Sequence, residues 1–313
     1  MTLPDPGYQG VWLPLVSPFK DGALDGTSVR RMVARYAGQV DGFILAATTG
    51  EGMALSRDET RHLAEWTAEE LAASGQTTPV LLGLCGAVTA NVVEAVRASD
   101  DLPVYGYLIA CPYYVRPTQN GLRLHFEAIA DATARDILIY NIPYRTGVNL
   151  ANDTLLALAE RPNIVGVKDC CADPAQSLDL IARKPAGFSV LCGEDAGFLA
   201  ALRQGANGGV VASAHLRPEV FHILYRLAQD RRWTAAERLW ADIAPIPEML
   251  FAEPSPSLLK HALWGLGEID TPDLRLPMTP PSAELVERLN AFLNQASGLH
   301  LTSSPPQRGG EPR

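Results

Sequence analysis

Short apolar runs recur through the first two-thirds of the chain and alternate with longer stretches whose apolar residues return every three or four positions. The runs are Val11–Val16, Gly42–Ala46, Val80–Leu84, Val104–Ala110, Ile137–Tyr140, Ile164–Lys168, Ser189–Cys192 and Gly209–Val211. Brief runs with little polar alternation predict strands buried on both faces of a parallel sheet. The intervening patterns predict helices near Ser28–Gln39, Arg57–Ala73, Asn91–Ala98, Gln119–Ala134, Asn152–Ala159, Gln176–Ala182, Ala196–Arg203 and Pro218–Gln229. Ser56-Arg-Asp-Glu59 has the form of a capping box, and Asn152 is placed to cap a later helix. Eight strand–helix units at this spacing predict an α/β fold, a (β/α)8 TIM barrel. An open doubly wound sheet is the alternative, but no G-x-G-x-x-G follows the first run.

Beyond residue 230 the strand pattern stops. Trp233–Ile243, Ser257–Leu266 and Ala283–Gln295 predict a C-terminal three-helix extension broken by proline-rich turns. The expected organisation is a barrel carrying the site over residues 1–230, a helical extension over 231–300 and a disordered tail over 301–313.

Two of the runs end on residues able to do chemistry. Asp136-Ile-Leu-Ile-Tyr-Asn-Ile-Pro-Tyr-Arg-Thr-Gly147 contains Tyr140, and Asn163-Ile-Val-Gly-Val-Lys-Asp169 contains Lys168. About 20 residues of helical pattern separate them, enough for one crossover between neighbouring parallel strands. Lysine is scarce here. Lys20, Lys184 and Lys260 fall in segments that read as solvent-facing or loop-like, and Lys168 alone closes an apolar strand. Such a lysine can snorkel or pair with a carboxylate such as Asp169. It can also be a desolvated amine that condenses with a carbonyl to form a Schiff base. The local pattern leaves both open.

Composition narrows the partners. With 47% hydrophobic and 19% charged residues the chain is not a disordered one. A net charge of −9 argues against nucleic acid as a partner. The five cysteines are odd in number and form no C-x-x-C pair, so they are expected to be buried free thiols in a reducing cytoplasm. The first residues lack the order of a signal peptide, and no apolar run is long enough to span a membrane. No grouping of His, Cys, Asp and Glu has metal-ligand spacing. His125 and Glu127 read as helix surface, and His215 as a capping or loop histidine. No G-x-S-x-G turn supports a serine hydrolase.

In a barrel of this kind the site lies at the carboxyl ends of the strands. Ala47-Thr-Thr-Gly-Glu-Gly52 follows the second run, and its hydroxyls and backbone N–H groups suit a small carboxylate. Cys111-Pro-Tyr-Tyr-Val-Arg-Pro-Thr-Gln-Asn-Gly121 follows the fourth. Arg145 stands where a guanidinium could grip a substrate carboxylate, although a solvated loop arginine would read the same way.

Together these pieces resemble the dihydrodipicolinate synthase / N-acetylneuraminate lyase family of class I aldolases, from Gly10 to about Leu289. The motifs are Thr48-Thr-Gly-Glu51, Pro112-Tyr-Tyr-x-Arg-Pro117, Tyr140-Asn-Ile-Pro-x-Arg-Thr-Gly147 and Gly166-Val-Lys168. The resemblance implies that Lys168 forms an imine with pyruvate, with no other cofactor and no metal. It implies that Tyr140 moves protons, that Thr48 relays them, and that Thr49 and nearby N–H groups hold the pyruvate carboxylate. Gly193 and Val211 match positions lining the pyruvate pocket. Tyr114 matches a tyrosine inserted into a neighbouring subunit's site, which implies a homo-oligomer, a tetramer or a dimer.

Within the family, Arg145 and Leu274-Arg-Leu-Pro-Met-Thr-Pro280 point to the branch that condenses pyruvate with aspartate semialdehyde at the head of lysine and diaminopimelate synthesis. Ala47 and Val115 depart from the residues usual there. A related aldolase acting on a 2-keto-3-deoxy sugar acid, or a catalytically silent 2-oxo acid sensor, are the alternatives. Gly52, Arg57, Val88 and Val92 stand at positions that contact lysine in regulated members, and the two valines there imply no feedback by lysine.

Overall fold

The computed structural model describes residues 7–298. Eight parallel strands close into a barrel: β1 (Gly10–Pro14), β2 (Gly42–Leu45), β3 (Val80–Leu84), β4 (Gly106–Ala110), β5 (Asp136–Asn141), β6 (Ile164–Asp169), β7 (Ser189–Cys192) and β8 (Gly208–Val210). Each strand pairs with its neighbours in sequence, and β8 closes on β1 through Gly10↔Gly208 and Trp12↔Val210. Helices α1 (Gly26–Tyr36), α2 (Arg57–Ala73), α3 (Thr89–Ala98), α4 (Gln119–Ala130), α5 (Asn152–Leu158), α6 (Pro174–Arg183), α7 (Phe198–Gln204) and α8 (Pro218–Gln229) follow the strands in turn. The sequence missed a short hairpin, Phe19–Lys20 with Ala23–Leu24, between β1 and α1.

Strand alternation divides the core in two. Trp12, Ile44, Leu81, Leu108, Leu138, Leu191 and Val210 fill the barrel interior, while Val11, Phe43, Leu82, Ile109, Ile139, Val167 and Val190 face the helices. A fully buried side chain of this size contributes about 2 kcal/mol. The helices start where their caps dictate. Asp25 accepts the Thr27 and Ser28 N–H groups ahead of α1, and Ser56 and Glu59 form both halves of a capping box on α2. Asn152 is not a cap. Ala151 holds that place, and the Asn152 amide donates instead to the Gln176 carbonyl at 2.8 Å and to the Asp179 carboxylate at 2.8 Å.

Among the described residues the extension has four helices rather than three: α9 (Trp233–Ile243), α10 (Pro245–Leu250), α11 (Ser257–Gly265) and α12 (Ala283–Gly298). The extra one begins at Pro245, and a proline read as a turn is equally suited to a helix's first position. The extension's apolar residues, among them Ile246, Leu250, Leu258, Leu263 and Leu289, belong to the same core as the barrel's outer layer. The 301–313 tail lies outside the described residues.

Three expectations about polar residues are overturned. Lys260 is fully buried, because α11 lays it against the barrel rather than into solvent. His125 is also buried, its Nδ1 2.9 Å from the Thr89 hydroxyl, since α4 turns that face towards α3. Cys85 is exposed, although Cys111 and Cys170 are buried, and all five thiols are free.

Burial gives the two core histidines a predictable acid signature. His215 accepts the Val16 N–H at 3.3 Å through Nε2, with Nδ1 2.8 Å from the Ala212 carbonyl. Burial pushes both His215 and His125 down to about 4. An unfolded histidine takes a proton as pH falls below about 6.5, while these two stay neutral until about pH 4. Stability is therefore lost as pH drops from 6.5 towards 4, by roughly 2 kcal/mol per histidine between pH 7 and pH 5. Thermal melts at those two pH values should differ by several degrees, and equal melting temperatures would contradict this assignment.

Candidate active site

Strand pairing sets Tyr140 directly opposite Lys168. Tyr140 belongs to the interior cluster with Leu138, two residues earlier on the same face. The Lys168 ammonium nitrogen lies 4.2 Å from the centre of the Tyr140 ring, and both residues are only 6% exposed. Asp169 does not take the lysine. Its carboxylate accepts the Ser177 hydroxyl at 2.6 Å and the Cys171 N–H at 3.0 Å. The lysine thus rests on the face of a phenol at the carboxyl end of the barrel. Gly193 leaves it room, since a Cβ there would lie 2.9 Å from Lys168 Cε.

The threonine loop is bent by two non-glycine residues in the left-handed region, Ala46 at φ 52° and Glu51 at φ 49°. Gly52 is required there because a Cβ would run into the Ala46 carbonyl. Glu51 N–H donates to the Thr48 carbonyl at 3.1 Å, and the Ser17 hydroxyl donates to the Gly50 carbonyl at 2.7 Å. These bonds set Thr48 and Thr49 on the wall of a narrow cleft shared with Lys168, Tyr140, Arg145 and Gly193.

Arg145 reaches that cleft from a single helical turn, Pro143–Thr146. The buried Asn141 side chain anchors the loop by donating to Asn149 Oδ1 at 2.9 Å and accepting the Leu150 N–H at 3.1 Å. The Arg145 guanidinium carbon sits 5.6 Å from the Tyr144 ring centre.

A larger cavity of about 530 Å³ adjoins the cleft through Thr48, Tyr140, Arg145 and Ser255. It does not reach Lys168. Its walls include Ala47, Gly83, Leu84, Tyr113 and the Arg275–Met278 segment. The amine lies in the narrow cleft, and the larger space adjoins it.

One expected residue lies elsewhere. Val211 packs in the outer core, and Val210 lines the cleft in its place, a one-residue slip that strand alternation turns into the opposite face. Tyr114 is 89% exposed, and its backbone, at φ 70°, donates to the Thr146 carbonyl at 3.1 Å. Sequence reading also missed Glu194 and Asp195 in the cleft, although an acidic pair directly after a strand was a usable signal. Phe251 and Ser255 come from the extension and carried no local signal.

Burial pushes the Tyr140 phenol well above 10, with Cys170 adding to the effect and Arg145 and the neighbouring Thr48 opposing it. Tyr140 is therefore a neutral phenol, able to donate one proton and accept another. Asp195, fully enclosed, is raised by burial while the Ser213 N–H donates to it at 2.6 Å.

The Dihydrodipicolinate synthetase family profile matches residues 7–296. The chain is 40% identical over 286 residues to a 4-hydroxy-tetrahydrodipicolinate synthase 2 of Clostridium acetobutylicum, covering 91% of this chain and 99% of that one. The chain belongs to this family.

Solved family members superpose closely. The 4-hydroxy-tetrahydrodipicolinate synthase of Methylacidiphilum fumariolicum SolV has a TM-score of 0.88 at 34% identity, covering 93% of this chain and 96% of that one. The chloride-inhibited dihydrodipicolinate synthase of Acinetobacter baumannii, solved with pyruvate, has a TM-score of 0.87 at 33% identity, covering 92% and 99%. The family match takes in the barrel and nearly all of the extension, so the residues from both that build the cleft lie within it.

Proposed function

We propose that this chain is a lyase joining pyruvate to L-aspartate 4-semialdehyde through a Schiff base on Lys168, yielding 4-hydroxy-tetrahydrodipicolinate for lysine and diaminopimelate synthesis. One observation carries the reading: a buried lysine amine lies over a buried neutral tyrosine in a cleft that also holds a guanidinium. The amine in its neutral form attacks the pyruvate C2 carbonyl, and loss of water gives the imine. Thr49 and its loop N–H groups hold the carboxylate, so that attack becomes effectively intramolecular.

The imine nitrogen draws electrons from C3, and removal of a C3 proton gives the enamine. Tyr140 passes that proton on, with Thr48 as its neighbour in the relay. The enamine carbon bonds to the aldehyde carbon, whose oxygen takes a proton. The substrate's own amine then attacks C2, closes the ring and releases Lys168. No step requires a metal or external cofactor, because the covalent imine is the electron sink.

Tyr114, solvent-exposed on its own subunit, is proposed to enter a neighbour's site and extend the relay, which makes the working enzyme a homo-oligomer. Val210 and Gly193 shape the pyruvate end. Among the described residues no helix is long and apolar enough to cross a membrane.

Arg145 is assigned to the semialdehyde's carboxylate. A hydrogen-bonded charge of this kind is worth about 1.5–3 kcal/mol, so Arg145→Ala should raise KM for aspartate semialdehyde about 10- to 100-fold and leave the KM for pyruvate within a few-fold. Steady-state assays with each substrate varied decide this, and a loss falling equally on both substrates would count against the assignment. Absence of any turnover of pyruvate with aspartate semialdehyde by the wild type would overturn the function itself.

A further inference from the structure

The extension grips the threonine loop through a buried ion pair. Lys260, fully enclosed on α11, places Nζ 2.5 Å from Glu51 Oε1 and 2.7 Å from the Asp273 carbonyl. Glu51 is itself buried, and its other oxygen accepts the Arg275 N–H at 3.2 Å. The Arg275 side chain donates to the Ala54 carbonyl at 2.8 Å, to the Gly22 carbonyl at 2.8 Å, and to the Glu59 carboxylate of the α2 capping box. The Phe19 ring takes both cations, with Lys260 Nζ and Arg275 Cζ each 4.2 Å from its centre.

Two of these contacts, from Lys260 and from the Arg275 N–H, fall on Glu51 of the loop that presents Thr48, and a third falls on Ala54 just after it. Glu51 sits in the left-handed region, which an unbranched L residue adopts only when its surroundings hold it there. Its N–H closes the turn onto the Thr48 carbonyl, three residues back. A shift of the Glu51 side chain therefore moves the peptide that carries Thr48, which lines the cleft beside Tyr140. Buried ion pairs are weak contributors to stability, since desolvation offsets their attraction, and their best-attested use is to fix a geometry.

We propose that Glu51 and Lys260 are positioning residues for the proton-transfer half of the reaction, with the C-terminal extension acting as a strut behind the catalytic loop. The proposal rests on the reading of Lys168 and Tyr140 given above. It separates two steps: imine formation depends on Lys168, which the strut does not touch, while C3 proton removal depends on where Thr48 stands.

The test uses the double variant Glu51→Gln/Lys260→Met, which removes both charges and leaves neither ion buried alone. Three quantities are read: the melting temperature, borohydride trapping of pyruvate on Lys168, and exchange of the pyruvate methyl protons in D2O followed by NMR. The double variant should melt close to wild type and trap pyruvate within twofold of it. Its methyl exchange and kcat should both fall by about tenfold or more. Glu51→Gln alone keeps an acceptor for Lys260 and should show a smaller loss of the same kind, which decides the matter if the double variant does not fold. Exchange within twofold of wild type in a folded variant overturns the strut. Parallel loss of trapping and exchange also overturns it, because the effect would then be general. Failure of the wild type itself to trap pyruvate removes the underlying reading and the strut with it.

Discussion

Lys168→Ala should lower turnover of pyruvate with aspartate semialdehyde by at least about 10⁴-fold, the scale on which loss of a covalent catalytic group is felt. The argument is geometric. In the cleft it is the Lys168 amine, lying 4.2 Å from the Tyr140 ring centre, that can attack the carbonyl. The other buried lysine, Lys260, is committed to Glu51 on the far side of the threonine loop and cannot substitute. The fold should survive the change. Lys168 packs over a ring without an ion pair to Asp169, so truncation leaves a small space. Melting temperature and kcat measured on the same preparation separate a lost amine from a lost fold.

Tyr140→Phe should cost about 10²–10⁴-fold in kcat, the usual worth of a positioned proton donor and acceptor. The ring that supports Lys168 remains, so pyruvate should still be captured and trapped at close to the wild-type rate. What should vanish is exchange of the pyruvate methyl protons with solvent. The phenol's raised pKa bears on how the loss arises. Burial keeps Tyr140 protonated at neutral pH, which suits the proposed role of a relay between neighbours and not that of a standing phenolate. Exchange unchanged in Tyr140→Phe would assign proton removal to another group in the cleft.

The barrel was legible because its signals are local and repeated. Runs such as Val80–Leu84 and Ser189–Cys192, and helices such as Arg57–Ala73 and Pro218–Gln229, end where turn residues and caps end them. Tyr140 and Lys168 were legible for the same reason, each at the close of an apolar strand. Val211 came from the family resemblance and not from strand reading, and the register sets Val210 on the cleft face instead. At the end of a short glycine-rich strand one residue of register reverses the face, and only the pairing of Trp12 with Val210 fixes it. Lys260 and His125 were misread because helical periodicity says which residues share a face and not what covers that face. α11 and α4 are covered by contacts from distant parts of the chain, 209 residues away for Lys260 and Glu51. Phe251 and Ser255 entered the cleft on the same long-range terms, and the Pro245 helix was hidden behind a residue that both starts helices and makes turns.

The measurement that bears most directly on the central claim is borohydride reduction of the protein with pyruvate, followed by peptide mapping by mass spectrometry, with Lys168→Ala alongside. The account predicts one reduced pyruvate per chain, on the peptide carrying Lys168, and none in the variant. An adduct on Lys20, Lys184 or Lys260, or no adduct at all, would contradict it.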